Sequence, residues 1–188
     1  MKISLIGYRG TGKTTIGAKL AEDLHLGFID ADQLLQERAG RKISEIFATD
    51  GEPVFRQLEA DLIHELANSK ESFVLSTGGG VILRPENRAA LQSAGPVVWL
   101  KATPRTICTR LKLDSATAHQ RPALLAETKP DHTPEEQMLY EVTTLLARRE
   151  PFYQETASFD VTTDERDETQ IVREILEKLV DLKIQSHR

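Results

Sequence analysis

Cysteine is nearly missing from this chain: Cys108 is the single one among 188 residues. One thiol cannot close an internal disulfide or build a multi-cysteine metal site, and beside Ile107 in a helical context it reads as a small buried residue of a protein in a reducing compartment. No apolar run approaches the length that spans a bilayer. Basic residues are outnumbered, 24 against 29 acidic, for a formal net charge of −5. With aromatics at 5% and no basic block or aromatic-interleaved patch, nucleic-acid binding is not the expected task. Any anionic ligand must then be held by a few placed arginines. His25, His64, His119, His132 and His187 lack the i,i+4 or paired-cysteine spacing of zinc sites. No N-K-x-D guanine motif is present, which disfavours a GTPase switch. The expectation is a soluble, cytoplasmic, monomeric protein with neither nucleic-acid nor membrane partners, and with no signal or transit segment ahead of a motif that begins at Gly7.

That motif is the most informative thing the chain does contain. The apolar run Ile3–Ile6 ends in Gly7-Tyr8-Arg9-Gly10-Thr11-Gly12-Lys13-Thr14, which fits the phosphate-binding pattern G-x-x-x-x-G-K-[ST] at every fixed position. Glycines allow a sharp turn whose N–H groups approach phosphate oxygens, Lys13 supplies a point charge to the outer phosphates, and the Thr14 hydroxyl supplies a ligand for Mg²⁺. Apolar residues recur at helical spacing from Thr14 to Leu24, so the loop opens into a helix whose N-terminus faces the anion.

At this length one domain spanning residues 1–188 is expected, and short apolar runs alternate along it with amphipathic stretches, the pattern of an α/β fold with a parallel sheet and crossover helices. The runs are Ile3–Ile6, Gly27–Ile29, Phe73–Leu75, Val97–Leu100 and Phe159–Val161, with Trp99 read as a buried strand residue. The periodicity predicts helices over Thr14–Leu24, Leu34–Ala39, Val54–Leu66, Glu86–Leu91, Glu135–Arg149 and Glu168–Leu182. From Leu113 to Pro134 the alternation fails. That stretch holds few aliphatics and the prolines Pro122, Pro130 and Pro134, a composition that suits a lid.

Right-handed crossovers bring the C-terminal ends of the strands to one edge. Behind the second run stand Asp30 and Asp32, which would face the same way if the chain stayed extended; one could serve Mg²⁺ through water and the other accept a hydroxyl proton, whereas the plainer reading makes Asp32 the cap of a helix from Gln33. Behind the third run, Ser76 and Thr77 precede Gly78-Gly79-Gly80, a costly run best explained by close approach of backbone to a ligand. Ser76 stands where many phosphate-loop proteins place a magnesium carboxylate. Arg56 could make an ordinary surface i,i+3 pair with Glu59, and Arg149 could owe its place to a helix C-terminus, yet an acidic protein that binds anions needs such residues.

Together, GYRGTGKTT at Gly7–Thr15, FIDAD at Phe28–Asp32, ISEIFATDGEPVFRQLE at Ile43–Glu59, STGGGVI at Ser76–Ile82, RP at Arg121–Pro122 and ARREPFY at Ala147–Tyr153 resemble the shikimate kinase family. The resemblance is ordered and spans nearly the whole chain, failing mainly between Arg110 and Pro134, where the lid is long and Ala123 replaces a customary leucine. It implies a three-layer α/β/α phosphate-loop kinase fold with a five-stranded parallel sheet and a mobile lid at about 113–134, and transfer of the ATP γ-phosphoryl to the 3-hydroxyl of shikimate. It further implies that Gly10, Thr11, Gly12, Lys13, Thr14 and Thr15 bind ATP, with Arg110 and Arg166 flanking adenine and Arg121 reaching the transferring phosphate from the lid. Thr14, and Asp30 through water, would serve Mg²⁺. Asp32 would orient and deprotonate the hydroxyl, Arg56 and Arg149 would pair with the carboxylate, and Gly78, Gly79 and Gly80 would approach the acid by backbone. Lys13, Asp32 and Arg121 are the implied catalytic set. The alternatives are a kinase for another small hydroxy acid and a non-catalytic relative that only binds.

Overall fold

The structure is a computed structural model that describes residues 1–113 and 131–185. Strands β1 (Lys2–Ile6), β2 (Gly27–Asp30), β3 (Phe73–Ser76), β4 (Val97–Lys101) and β5 (Phe159–Thr162) form one parallel sheet in the order β2-β3-β1-β4-β5. Each strand falls on one of the five apolar runs. The central strands β3, β1 and β4 bury nearly every residue because helices cover both faces of the parallel sheet, whereas the edge strands β2 and β5 leave residues such as Asp160 exposed.

Alternate strand residues separate into two cores. Ile3, Leu5, Val74, Val98 and Leu100 pack with helix α1 (Lys13–Asp23) and the C-terminal helix α8 (Glu168–Gln185). Phe73, Leu75, Val97 and Trp99 face the other way, against α2 (Ala31–Ala39), α4 (Glu52–Asn68), α5 (Pro85–Ala94) and α7 (Pro134–Thr156). The result is the expected three-layer α/β/α arrangement. Residues such as Leu5, Leu100 and Ile63 have no exposed surface, and each such side chain contributes about 1.5–3 kcal/mol by leaving water. A third, smaller core of Tyr8, Ile107, Cys108, Val142 and Leu145 ties the phosphate loop to α6 (Pro104–Leu113) and α7. Cys108 is buried in it, and burial raises its thiol pKa, as suits a packing residue rather than a nucleophile.

Four local features differ from the expectations. Helix α3 (Ile43–Thr49) and helix α6 were not among the predicted segments: each carries one short apolar stripe, Ile43, Ile46 and Phe47 in α3 and Ile107, Cys108 and Leu111 in α6, about one turn of pattern. A single 3₁₀ turn follows the three glycines at Val81–Leu83. Helix α7 runs past Arg149 and through Pro151 to Thr156. Proline lacks the N–H that an interior turn requires, and here tertiary contacts hold that turn, since Tyr153 stacks on Trp99 with ring centroids 5.6 Å apart. Helix α2 starts at Ala31, three residues earlier than its apolar pattern indicates, with Asp30 as its cap. Of the expected lid, Leu113 closes α6 and Pro134 opens α7, while Arg121, Pro122 and Pro130 lie outside the described residues.

Candidate active site

The phosphate loop joins β1 to α1 and gathers the site around it. Gly7 and Gly12 have φ of 144° and 90°, and a Cβ on Gly7 would stand 2.5 Å from the Leu100 carbonyl oxygen, so no other residue fits there. Lys13 is 8% exposed and its Nζ donates to the carbonyls of Gly7 and Tyr8, both at 2.9 Å, which arches it over the loop. The Thr14 hydroxyl donates to Asp30 Oδ2 at 2.8 Å and lies 3.5 Å from the Ser76 hydroxyl. Asp30 Oδ1 meanwhile accepts from the backbone N–H groups of Asp32 (3.1 Å) and Gln33 (3.2 Å). Both oxygens of this carboxylate are therefore fixed by the fold, one by a helix N-terminus and one by the loop.

This corrects the reading of the paired aspartates. Asp30, not Asp32, is the helix cap, and the chain is no longer extended beyond Asp30. Asp32 reaches the site from the first turn of α2, where the helix dipole favours its charge. It lines both the cleft over Lys13 and Thr14 and a neighbouring pocket holding Arg56 and Arg149.

That pocket contains an unusual density of buried charge. Arg56 donates to Glu59 at 2.8 Å and to Glu52 at 3.1 Å, with the Arg56 and Glu59 side chains only 11% and 5% exposed. The i,i+3 pair exists, but inside the protein rather than on its surface. Burial raises the Glu59 pKa, with the Arg56 charge opposing it and the nearby Asp32 charge reinforcing it. Burial also presses on Arg56, whose pKa the two glutamates nonetheless carry above its ordinary value. The other oxygen of Glu59, Oε1, is buried without a hydrogen-bond partner. Arg149 is 6% exposed, donates to the Gly79 carbonyl at 3.2 Å and lies over the Tyr8 ring at 5.5 Å. It sits well inside α7, so the helix C-terminus does not explain it.

The three glycines separate these groups. A Cβ on Gly78 would fall 2.8 Å from Asp32 Oδ1, on Gly79 3.2 Å from the Arg9 nitrogen, and on Gly80 2.5 Å from Arg56 Nη2. None of the three has the positive φ that demands glycine. Gly78 and Gly80 are glycines because side chains of the site press against their backbone, and Gly79 because the backbone of the phosphate loop does. Phe47 and Phe55, 4.8 Å apart, give the pocket an apolar wall.

A further cavity of ≈ 550 Å³ opens on the far side of the loop, lined by Thr11, Gly12, Thr15, Arg110 and Arg166. Arg110 is locked by bonds to the Gly10 carbonyl (3.3 Å) and to Thr163 (2.9 Å to the hydroxyl, 2.7 Å to the carbonyl), and Arg166 pairs with Glu174. Thr11, Gly12 and Thr15 line this cavity, while Gly10, Gly12, Lys13, Thr14 and Thr15 line the cleft toward Asp32. Arg121 is outside the described residues.

Sequence reasoning passed over several residues of the site. Glu59 carried a signal, being three positions from Arg56 on one helix, and Tyr153, whose hydroxyl donates 2.6 Å to the Gly79 carbonyl, lies four after Arg149. Arg9 and Tyr8 occupy positions that the phosphate-loop pattern leaves open and carried none.

The family model described as shikimate kinase matches residues 9–180 of this chain. The chain is 41% identical over 179 residues to a shikimate kinase of Symbiobacterium thermophilum, covering 95% of this chain and 96% of that one. It is 41% identical over 177 residues to a shikimate kinase of Enterococcus faecalis, covering 94% and 97%. Among solved structures, shikimate kinase from Acinetobacter baumannii in complex with shikimate superposes with a TM-score of 0.85 at 32% identity, over 97% of this chain and 94% of that one.

Proposed function

The chain belongs to the shikimate kinase family, which performs ATP-dependent phosphorylation of shikimate, and from this premise we propose how its own side chains divide that reaction. The observation that carries the proposal is the pair of adjoining clefts: a phosphate loop with Lys13 on one side, two buried arginines on the other, and Asp32 lining both. ATP lies with its phosphates on residues Gly10 to Thr15 and its adenine between Arg110 and Arg166. Arg56 and Arg149 take the shikimate carboxylate in bidentate geometry, with Phe47 and Phe55 against the apolar side of the ring. The 3-hydroxyl then points at Asp32, which holds it in line and accepts its proton as the bond to phosphorus forms. Arg121 belongs, by resemblance alone, to the transferring phosphate.

The oxygen donors of Thr14 and Asp30 are of the type Mg²⁺ takes, and the Asp30 carboxylate is already held toward the Thr14 hydroxyl. Thr14 would ligate the ion and Asp30 would support it through water. When bound, Mg²⁺ neutralises charge on the outer phosphates.

The test of function is ADP release from MgATP with a panel of small hydroxy acids that includes shikimate and quinate. Shikimate should stimulate release far above the rate with water alone; another acid as the much better acceptor would overturn the assignment.

Two substitutions test the division of roles. Lys13→Ala removes the charge that follows the migrating phosphoryl and should lower turnover by ~10²-fold, the scale for deleting one preorganised transition-state contact. Near-normal turnover in a folded variant would count against it. Gly80→Ala places a methyl against the Arg56 guanidinium, whose far end can move, so the fold should lose only about 1 kcal/mol, the low end for overpacking. Shikimate affinity should nevertheless fall about tenfold, as expected when a charge-assisted bond loses its geometry. Calorimetric titration with shikimate reads this directly, and unchanged affinity would mean that Arg56 does not hold the acid where it now stands.

A further inference from the structure

Arg9 occupies a position at which the phosphate-loop pattern tolerates any residue, so its charge is not explained by the loop's own requirements. Its surroundings are specific. Of the residues that line the phosphate cleft and the acid pocket, Arg9, Asp32 and Gly79 are the three that line both. Asp32 is an anion and Gly79 offers only backbone, so among the described residues Arg9 is the one cationic side chain at the passage between the two cavities. The guanidinium is held there: Nη2 pairs with Glu141 Oε1 at 2.7 Å, with the two side chains 18% and 11% exposed. Its Nε is buried without a hydrogen-bond partner. A largely desolvated guanidinium carries a poorly screened charge, and its planar fork pairs with phosphate as readily as with carboxylate.

Given the reading of the two cavities above, we propose that Arg9 is a further catalytic residue, contacting the non-bridging oxygens of the phosphoryl group as it crosses between the clefts and holding the phosphate ester once formed. In the step itself, the bond from the γ-phosphorus to the bridging oxygen breaks with its electron pair going to ADP. The shikimate hydroxyl oxygen bonds to the phosphorus, and its proton passes to Asp32. Arg9 gains and loses no proton, and its contribution is charge placed where charge moves. Glu141 acts as a positioning residue. It projects from α7, the helix that also carries Arg149, so one helix sets both the cation that meets the acid's carboxylate and the cation that meets its phosphate.

The experiment compares the wild-type enzyme with R9M and R9K, measuring kcat, shikimate affinity and inhibition by shikimate 3-phosphate. R9M should lower kcat and weaken the phosphorylated product about tenfold each, while shikimate affinity changes less than about threefold, since the lost contact is to phosphate and not to the acid. R9K should recover part of both, as the charge returns without the fork. A structural tie between the loop and α7 would instead move all three constants together, and that result, or a kcat and product affinity within threefold of wild type, overturns the proposal. If R9M does not fold, R9K decides alone: product affinity falling more than acid affinity supports the role, and equal effects overturn it. A wild-type enzyme that fails to phosphorylate shikimate removes the functional reading and this proposal together, whereas an active wild type with an unaffected R9M removes only the latter.

Discussion

Asp32→Asn should reduce turnover by about 10²-fold or more, the range lost with a positioned general base, while MgATP affinity stays within a few-fold of wild type. The amide keeps the size and hydrogen-bonding capacity of the carboxylate but cannot take the hydroxyl proton. The structure makes this substitution cleaner than the sequence implied. Because Asp30 caps α2, Asp32 is relieved of that duty, and the helix itself loses a favourable first-turn charge on its replacement, about 0.3–1 kcal/mol. Relief of repulsion from the buried Glu59 works in the opposite direction. Thermal stability should therefore barely move while the rate collapses. Single-turnover kinetics alongside a melting curve separate the two, and an unchanged single-turnover rate would strip Asp32 of its chemical role.

Arg149→Ala should weaken shikimate binding by roughly 2–5 kcal/mol, the cost of truncating one member of a buried charged pair, with ATP affinity much less affected. Arg149→Lys should recover little of it, since an ammonium cannot reproduce the fork. Arg56 differs in a way that its surroundings dictate. Its guanidinium is already paired with Glu59 and Glu52, whereas Arg149 bonds to the Gly79 carbonyl and the Tyr153 side chain, lies over the Tyr8 ring, and feels the Glu59 charge without a salt bridge to it. Arg149 therefore has more unanswered charge to offer a ligand. Removing Arg56 strands the buried Glu59, so Arg56→Ala should also lower stability by ~3–5 kcal/mol, the scale for breaking a buried pair on one side. Titration of shikimate into each variant, with denaturant melts, checks the contrast. Equal destabilisation by both alanine variants would refute it.

How much could be read in advance followed from how local each cause is. The five strands were legible because a parallel sheet covered on both faces calls for short runs that are mostly apolar, with few interruptions such as Ser4 and the exposed Asp160, and the phosphate loop because its glycines answer to backbone geometry within eight residues. Helices α3 and α6 were missed because the apolar stripe of each, Ile43, Ile46 and Phe47 or Ile107, Cys108 and Leu111, lasts only about one turn. The end of α7 was misplaced for a related reason. Pro151 is a local stop signal, and it is overridden by Tyr153 stacking on Trp99 and bonding to the Gly79 carbonyl, contacts with residues more than fifty positions away in the chain.

Resemblance to a family supplied the expectation that Asp32, Arg56 and Arg149 meet an anionic hydroxy acid; by itself, the sequence determined the layered α/β scaffold and the phosphate-loop pattern with Lys13 and Thr14. These rest on periodicity and short-range stereochemistry, which a linear chain records directly. Tertiary structure alone decided that Asp30 rather than Asp32 caps α2, that the Arg56–Glu59 pair is buried, that the three glycines make room for Asp32, the phosphate-loop backbone and Arg56, and that Arg9 stands where the two clefts meet. Each of these depends on distances and desolvation between segments brought together by folding, and the energy of a charge depends on both far more steeply than on its neighbours in sequence.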